Sequence, residues 1–244
     1  HILTMKIKHD LFFLNDKDRI SESEIALNNL SEIHHIATVL RKKIGEIICL
    51  SDGKSFVYDA EIIFIEKKSI QFKILEKAPL LHLSHQITYC PSLLKGDRFD
   101  FAIEKAVEIG VQKIEPLITD HVIGLKNKLE KWQDQILAAL KQSKNPHFID
   151  IDEPIKVLHQ KKRADEIWIV PEIDVKSIQL TQIDLSAAKS IKFFIGPEGG
   201  FSENELEFFR KNEAHFISLG KSRLRAETAG IVTLTLIRNL LNPY

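Results

Sequence analysis

The sequence holds only two cysteines and one methionine, has no net charge, and contains no long apolar run. Cys49 and Cys90 stand far apart and form no CxxC pair, so neither a zinc site nor a disulfide framework is indicated and a reducing, cytoplasmic setting is expected. No stretch approaches the roughly 18 uncharged apolar residues that a membrane span needs, which leaves no membrane partner to expect. Lys6, Lys8, His9 and Asp10 break up the opening residues, so no secretory leader is expected there. His1 to Thr4 precede Met5 and are expected to be residues added for expression. Lys plus Arg and Asp plus Glu both number 34. That balance excludes a protein that coats nucleic acid by charge alone, and any RNA contact must come from a local patch. Internal repeats and low-complexity tracts are also missing.

What remains is ordinary globular composition, 44% hydrophobic and 28% charged, over 244 residues. That length supports one large domain or two modest ones. One local basic patch exists. Residues 33–45, IHHIATVLRKKIG, carry His34, His35, Arg41, Lys42 and Lys43 with no acid among them. A solvated helix face and an RNA contact are both open readings of it.

The first 75 or so residues read mostly as strands. GEIICLSDG and SFVYDAEIIFIEKKSIQFKIL are rich in Ile, Phe, Val and Tyr, with turn chemistry between them, which suggests a small barrel or sandwich. Residues 77–86, KAPLLHLSHQ, read as a linker or crossover. The rhythm then changes. QITYCP is a strand, and GDRFDFAIEKAVEIG spaces its apolar residues for a helix with Gly110 where a C-terminal cap belongs. VQKIEPLI reads as a strand. KNKLEKWQDQILAALKQS puts Leu129, Trp132, Ile136 and Leu140 on one helical face. EIWIV, IKFFI and HFISL are three more strands, with helical segments after the second and third. This alternation argues for a parallel sheet covered by helices. The boundary falls between residues 1–76 and 77–244.

Two loops stand out. IKFFI runs into Gly196-Pro197-Glu198-Gly199-Gly200, then Ser202 and Glu205 form a capping box, with Phe201 and Leu206 at the hydrophobic-staple positions. The helix therefore begins at Glu203, and the glycines form the turn at the carboxyl end of a parallel strand, the edge where open α/β sheets bind ligands. The lysine of a P-loop and the GxGxxG spacing are both missing, and Glu198 would repel a phosphate. A plain turn is one reading; a loop for a cationic or donor-bearing ligand is the other. After HFISLG come Lys221, Arg223 and Arg225, followed by Glu227 and Thr228 at the start of the last helix. These cations either mark an anion site or are an Arg225 ion pair with exposed neighbours. In the last helix Val232, Leu234, Leu236, Ile237, Leu240 and Leu241 spread over roughly 200° of the circumference, which fits burial on two fronts, one a partner subunit, or a deeply inserted core helix.

Taken together, IGPEGGFSENE and SLGKSRLRAETAG resemble the signature of the bacterial small-subunit ribosomal RNA uridine-N3 methyltransferases, of the SPOUT class. HHIATVLRKKIGE and LLKGDRFDFAIEKAVEIGVQKIEPL resemble that family's N-terminal and central segments. The chain departs from the family pattern at Lys221-Ser222-Arg223, where Pro-Arg or a similar pair is usual. It departs again at Lys141 to Asn145, in place of Glu-Gln-Ser and an arginine, on an RNA-side or interface contact.

The resemblance implies an N-terminal PUA-like β-barrel, a C-terminal α/β domain with a trefoil knot and parallel sheet, and a homodimer. It implies S-adenosylmethionine as cofactor and small-subunit ribosomal RNA, free or in the assembled small subunit, as substrate. Gly196, Leu219 and Leu224, with Gly200, Gly220 and Pro171, are then expected to form the adenosine pocket. Arg41, Lys42, Lys43 and Arg223 are expected to hold RNA. The methyl on a sulfonium is already electrophilic, so no metal is called for. Uracil N3 must lose its proton and its charge must be stabilised. Arg225, which stays protonated, suits the stabilising role, its donors set against the uridine oxygens or the adjacent phosphate; Glu198 and Glu227 are both candidates for taking the proton or for orienting Arg225. The target base must be unpaired or extruded. Two other classes compete: a non-catalytic RNA-binding protein of this fold, against which the intact glycine and arginine loops speak, and a nucleotide enzyme, against which the missing P-loop lysine speaks.

Overall fold

A computed structural model describes residues 6–81, 84–122, 128–173, 176–186 and 188–241. Its contacts divide the chain into two compact units, residues 1–82 with 140–148, and residues 83–139 with 149–244.

The first unit holds β1 (Leu11–Phe13), β2 (Arg19–Ile20), β3 (Glu24–Leu27), a short helix α1 (Leu30–His34), β4 (Ile47–Ser51), β5 (Phe56–Ile65) and β6 (Ile70–Pro79). The strands form one sheet in the order β1-β4-β5-β6-β3-β2, antiparallel except where β1 meets β4. Alternation sends Ile25, Leu27, Ile48, Leu50 and Phe72 into a shared core with Phe12. β6 runs further than the sequence suggests, since residues 77–79, read as linker, are strand. Lys77 lies opposite Tyr58 and Ala78 opposite Val57, and the Lys77 ammonium sits 3.9 Å from the Phe56 ring centroid. Pro79, with no amide hydrogen to donate, is the last residue of the strand.

The second unit holds β7 (Gln86–Pro91), α2 (Arg98–Ile109), β8 (Lys113–Ile114), β9 (Leu117–Ile118), most of α3 (Leu129–Ser143), β10 (Asp150–Ile151), β11 (Ile155–Lys156), β12 (Glu166–Pro171), β13 (Ser190–Ile195), α4 (Glu203–Lys211), β14 (His215–Ile217) and α5 (Ala226–Leu241). Six of these strands make the expected parallel sheet, in the order β10-β8-β7-β13-β12-β14. VQKIEPLI is not one strand. Pro116 cannot continue the ladder, so β8 stays in the main sheet while β9 pairs with β11 in a separate two-stranded ladder. α2 ends at Gly110, whose φ of 102° lets its amide reach the Ala106 and Val107 carbonyls. Trp132, Ile136 and Leu140 of α3 are buried as their spacing predicts, while Leu129, expected on the same face, is only half-buried. Among the described residues no helix is long and apolar enough to cross a membrane.

Every residue of β13 is buried, as a strand covered on both faces must be. Phe193 stacks on Tyr89 at 4.8 Å, while Phe194 packs with Trp168 and with Phe209 of α4. On the Tyr89 side α5 lies very close: a Cβ built on Gly230 would come within 2.4 Å of the Tyr89 hydroxyl.

The buried run also includes a charge. Lys192 Nζ lies 2.7 Å from Glu115 Oε2 and 3.0 Å from Gln160 Oε1, and Lys113 joins Glu115 (3.1 Å) to Asp152 (2.7 Å). Burial pushes the Glu115 carboxyl up, but Lys192 and Lys113 outweigh it and hold the group below its ordinary value of 4.5. A carboxyl lowered on folding stabilises the protein above pH 4.5 and loses that contribution as pH falls toward the folded-state pKa. Glu115→Gln is therefore expected to cost about 3 kcal/mol in urea titrations at pH 7, by stranding a buried ammonium. The penalty should shrink on acidification, and an equal penalty at pH 7 and in strong acid would contradict this account.

Candidate functional site

Because β12, β13 and β14 run parallel, their carboxyl ends open at the same edge of the sheet. The loops leaving Pro171, Ile195 and Ile217 enclose a pocket of about 270 Å³. Pro171, Gly196, Gly200, Leu219, Gly220 and Leu224, the residues expected to form the adenosine pocket, all line it. So do Glu198, Arg223 and Arg225. Glu227 does not. It is 9% exposed in the first turn of α5, its Oε2 has no hydrogen-bond partner among the described residues, and, after burial, its charge helps to raise the Tyr89 phenol.

The glycine loop is shaped by its own sequence. The Gly200 amide donates to the Pro197 carbonyl at 2.9 Å with φ of 73°, a left-handed turn that side chains disfavour. Gly196 leaves room for the Phe201 ring, which a Cβ would approach to 3.2 Å. Phe201 in turn packs edge-on against Phe209. The capping box forms as its spacing predicts: the Ser202 amide donates to Glu205 Oε2 at 2.8 Å, and the Glu205 amide to Ser202 Oγ at 3.3 Å. An outside brace completes the loop. Glu205 Oε1 accepts the Asp120 amide at 3.0 Å, Ser202 Oγ donates to Asp120 Oδ2 at 2.5 Å, and His121 Nδ1 lies 2.9 Å from the Gly200 carbonyl. Burial pushes the Glu205 carboxyl up despite these amide donors.

The cationic loop meets the glycine loop directly. Arg223 donates to the Glu198 main-chain carbonyl at 2.8 Å. The Glu198 carboxylate forms an ion pair with Arg98, the first residue of α2. Arg225 is exposed and makes no ion pair among the described residues. The pocket thus combines apolar walls, open main chain and charges of both signs.

The sequence reading missed several pocket residues. Ile173 and Ile195 supply apolar wall, and Ala226 and Ala229 the base of α5. Glu172 also lines the pocket, and its position directly after a strand tip was an available signal. Arg98 was read only as part of a helix start, and no local pattern announces a partner 100 residues on.

The basic patch belongs to the first unit. Asn29 caps α1 by accepting the Ser31 amide, and a π-helical turn, His35–Val39, follows. Arg41 (φ 55°) and Lys43 are exposed, but Lys42 is bound to Asp10 (3.0 Å) and Glu46 (3.3 Å), a cation already neutralised. Lys141, in the segment that departs from the family pattern, is likewise committed: its ammonium pairs with the buried Glu32 carboxylate at 2.6 Å. Lys144 donates to the Lys8 carbonyl at 3.0 Å.

Comparison with known proteins agrees with this layout. The family model for an RNA methyltransferase domain matches residues 82–238, and that for an RNA methyltransferase PUA domain matches residues 27–75. The chain is 28% identical to the ribosomal RNA small subunit methyltransferase E of Rickettsia conorii, over 96% of this chain and 97% of that one. It is 31% identical to the protein of that name from Mesomycoplasma hyopneumoniae, over 92% and 96%. Among solved structures, the ribosomal RNA small subunit methyltransferase E of Neisseria gonorrhoeae bound to S-adenosyl methionine superposes with a TM-score of 0.86, at 27% identity, covering 95% of this chain and 98% of that one.

The capping box and its brace generate a direct expectation. Ser202→Ala removes the acceptor for the Glu205 amide and the link to Asp120, and is expected to lower stability by about 1 kcal/mol in thermal or urea unfolding. Amide exchange in residues 196–202 should quicken well beyond that in β13; uniform exchange would show that the serine does not hold the loop.

Proposed function

Because the chain belongs to the ribosomal RNA small subunit methyltransferase E family, we propose that it transfers a methyl group from S-adenosylmethionine to N3 of a uridine in small-subunit ribosomal RNA. The observation that carries the reading is the meeting of the glycine loop and the Arg225 loop around one pocket. Its fit to the cofactor is physical. Ile195, Leu219 and Leu224 offer apolar surface to an adenine, and Gly196 and Gly200 bring main chain to the pocket wall. S-adenosylmethionine supplies a methyl group made electrophilic by its sulfonium.

The protein's own residues do the rest. Arg225, exposed at the pocket and free of a partner among the described residues, presents a fixed fork of donors to the uracil oxygens as negative charge spreads from N3. Glu198 accepts the N3 proton; it lines the pocket, whereas Glu227 does not. Arg41, Lys43 and Arg223 hold the RNA backbone, and Lys42 contributes less because it is already paired. The same reading takes the first unit, residues 1–82 with 140–148, as the RNA-binding domain and the second as a knotted catalytic domain, which moves the expected boundary at 76/77 past the end of β6. The protein acts in the cytoplasm as a homodimer, a state supported by Leu236 and Leu240, 40% and 39% exposed on α5.

Arg225→Ala is expected to retain S-adenosylmethionine binding in calorimetry while methyl transfer falls at least a hundredfold, the scale set by removing one transition-state donor. Unchanged turnover would take Arg225 out of the mechanism. Gly196→Val should abolish the calorimetric signal, and normal affinity would displace the pocket. Mass spectrometry of small-subunit RNA treated with labelled cofactor then identifies the base and the atom. Modification at any position other than uridine N3 would refute the assignment.

A further inference from the structure

Two guanidinium groups from distant parts of the second unit close on one residue at the mouth of the pocket. Arg98, at the start of α2, holds the Glu198 carboxylate, and Arg223, from the loop after β14, donates to the Glu198 carbonyl at 2.8 Å. Arg98 Nε also donates to the Lys95 carbonyl at 3.4 Å, which orients its fork. The nearby Asp100 carboxylate is already taken by Lys131. We propose that Arg98 and Arg223 form a docking site for a backbone phosphate of the substrate RNA, and that the Glu198 carboxylate occupies it until RNA arrives.

Three physical points support this. The Arg98 and Glu198 side chains are 38% and 47% exposed, and an ion pair so open to water is only weakly held. An arginine fork matches phosphate as well as it matches carboxylate, so one anion replaces the other without stranding a charge. The chain has no net positive charge to attract RNA at long range, so local sites of this kind must do the positioning. Displacement has a further result. The freed Glu198 carboxylate belongs to a residue that already lines the pocket, so backbone docking and the arrival of a proton acceptor become one event. This rests on the RNA methyltransferase reading above.

The test measures binding of a small-subunit ribosomal RNA transcript by fluorescence anisotropy across a salt series. Arg98→Ala is expected to weaken binding roughly tenfold at low salt and to reduce the slope of log K against log salt by about one, the signature of a single lost phosphate contact. Arg98→Lys should restore most of that slope. Glu198→Gln should act in the opposite direction and tighten binding several-fold, because it removes the competitor. Cofactor affinity of Arg98→Ala should stay within twofold of the wild type, which shows that the pocket is intact. Weaker RNA binding by Glu198→Gln, or an unchanged salt slope in Arg98→Ala, overturns the proposal and leaves the methyltransferase reading standing. Failure of the wild-type protein to bind either the transcript or assembled small subunits overturns both.

Discussion

Parallel pairing of β12 with β13 on one side and with β14 on the other is the constraint on which the site depends. Parallel strands leave the sheet in the same direction, so segments that follow residues 171, 195 and 217 must emerge together however far apart they lie in the chain. The ladder itself needs nothing from those loops. They are free to carry glycine, proline and unpaired charge, which would weaken a strand or helix. The strands beneath supply stability instead: β13 is buried throughout, with Phe193 and Phe194 anchoring opposite faces.

Burial sorts the ion pairs into two kinds. Lys192 and Glu115 lie under the sheet at 8% exposure each, satisfied by Gln160 and Lys113, and no outside ion can compete for them. The same holds for Glu32 with Lys141 in the first unit. Arg98 and Glu198 make the same chemical contact in water, where it exchanges readily. A count of opposite charges in the sequence cannot separate the two kinds, because the difference lies in what covers them.

What the sequence made legible follows that division between local and distant. The capping box at Ser202 and Glu205, the start of α4 at Glu203 and the cap at Gly110 rest on neighbours within a few residues, and the structure holds all of them. The parallel sheet was legible from alternation of strand and helix. The six residues assigned to the adenosine pocket came from family resemblance rather than from spacing, and they line one cavity. Distant pairings were not legible. Nothing near Lys192 announces Glu115, and nothing near Arg98 announces Glu198. Local signals were also misjudged twice: Pro116 was passed over inside VQKIEPLI, and residues 77–79 were given to a linker although their partners sit in β5.

Arg225 stands one residue before α5, and Gly230 is the point where that helix touches Tyr89. The height of the helix above the sheet is therefore gauged by a missing side chain, and the guanidinium inherits that height. Position 230 has no side chain to offer chemistry, yet added bulk there must displace either the buried Tyr89 ring or the helix that follows the arginine. A residue silent in every inventory of reactive groups thus acts as the spacer that sets their reach.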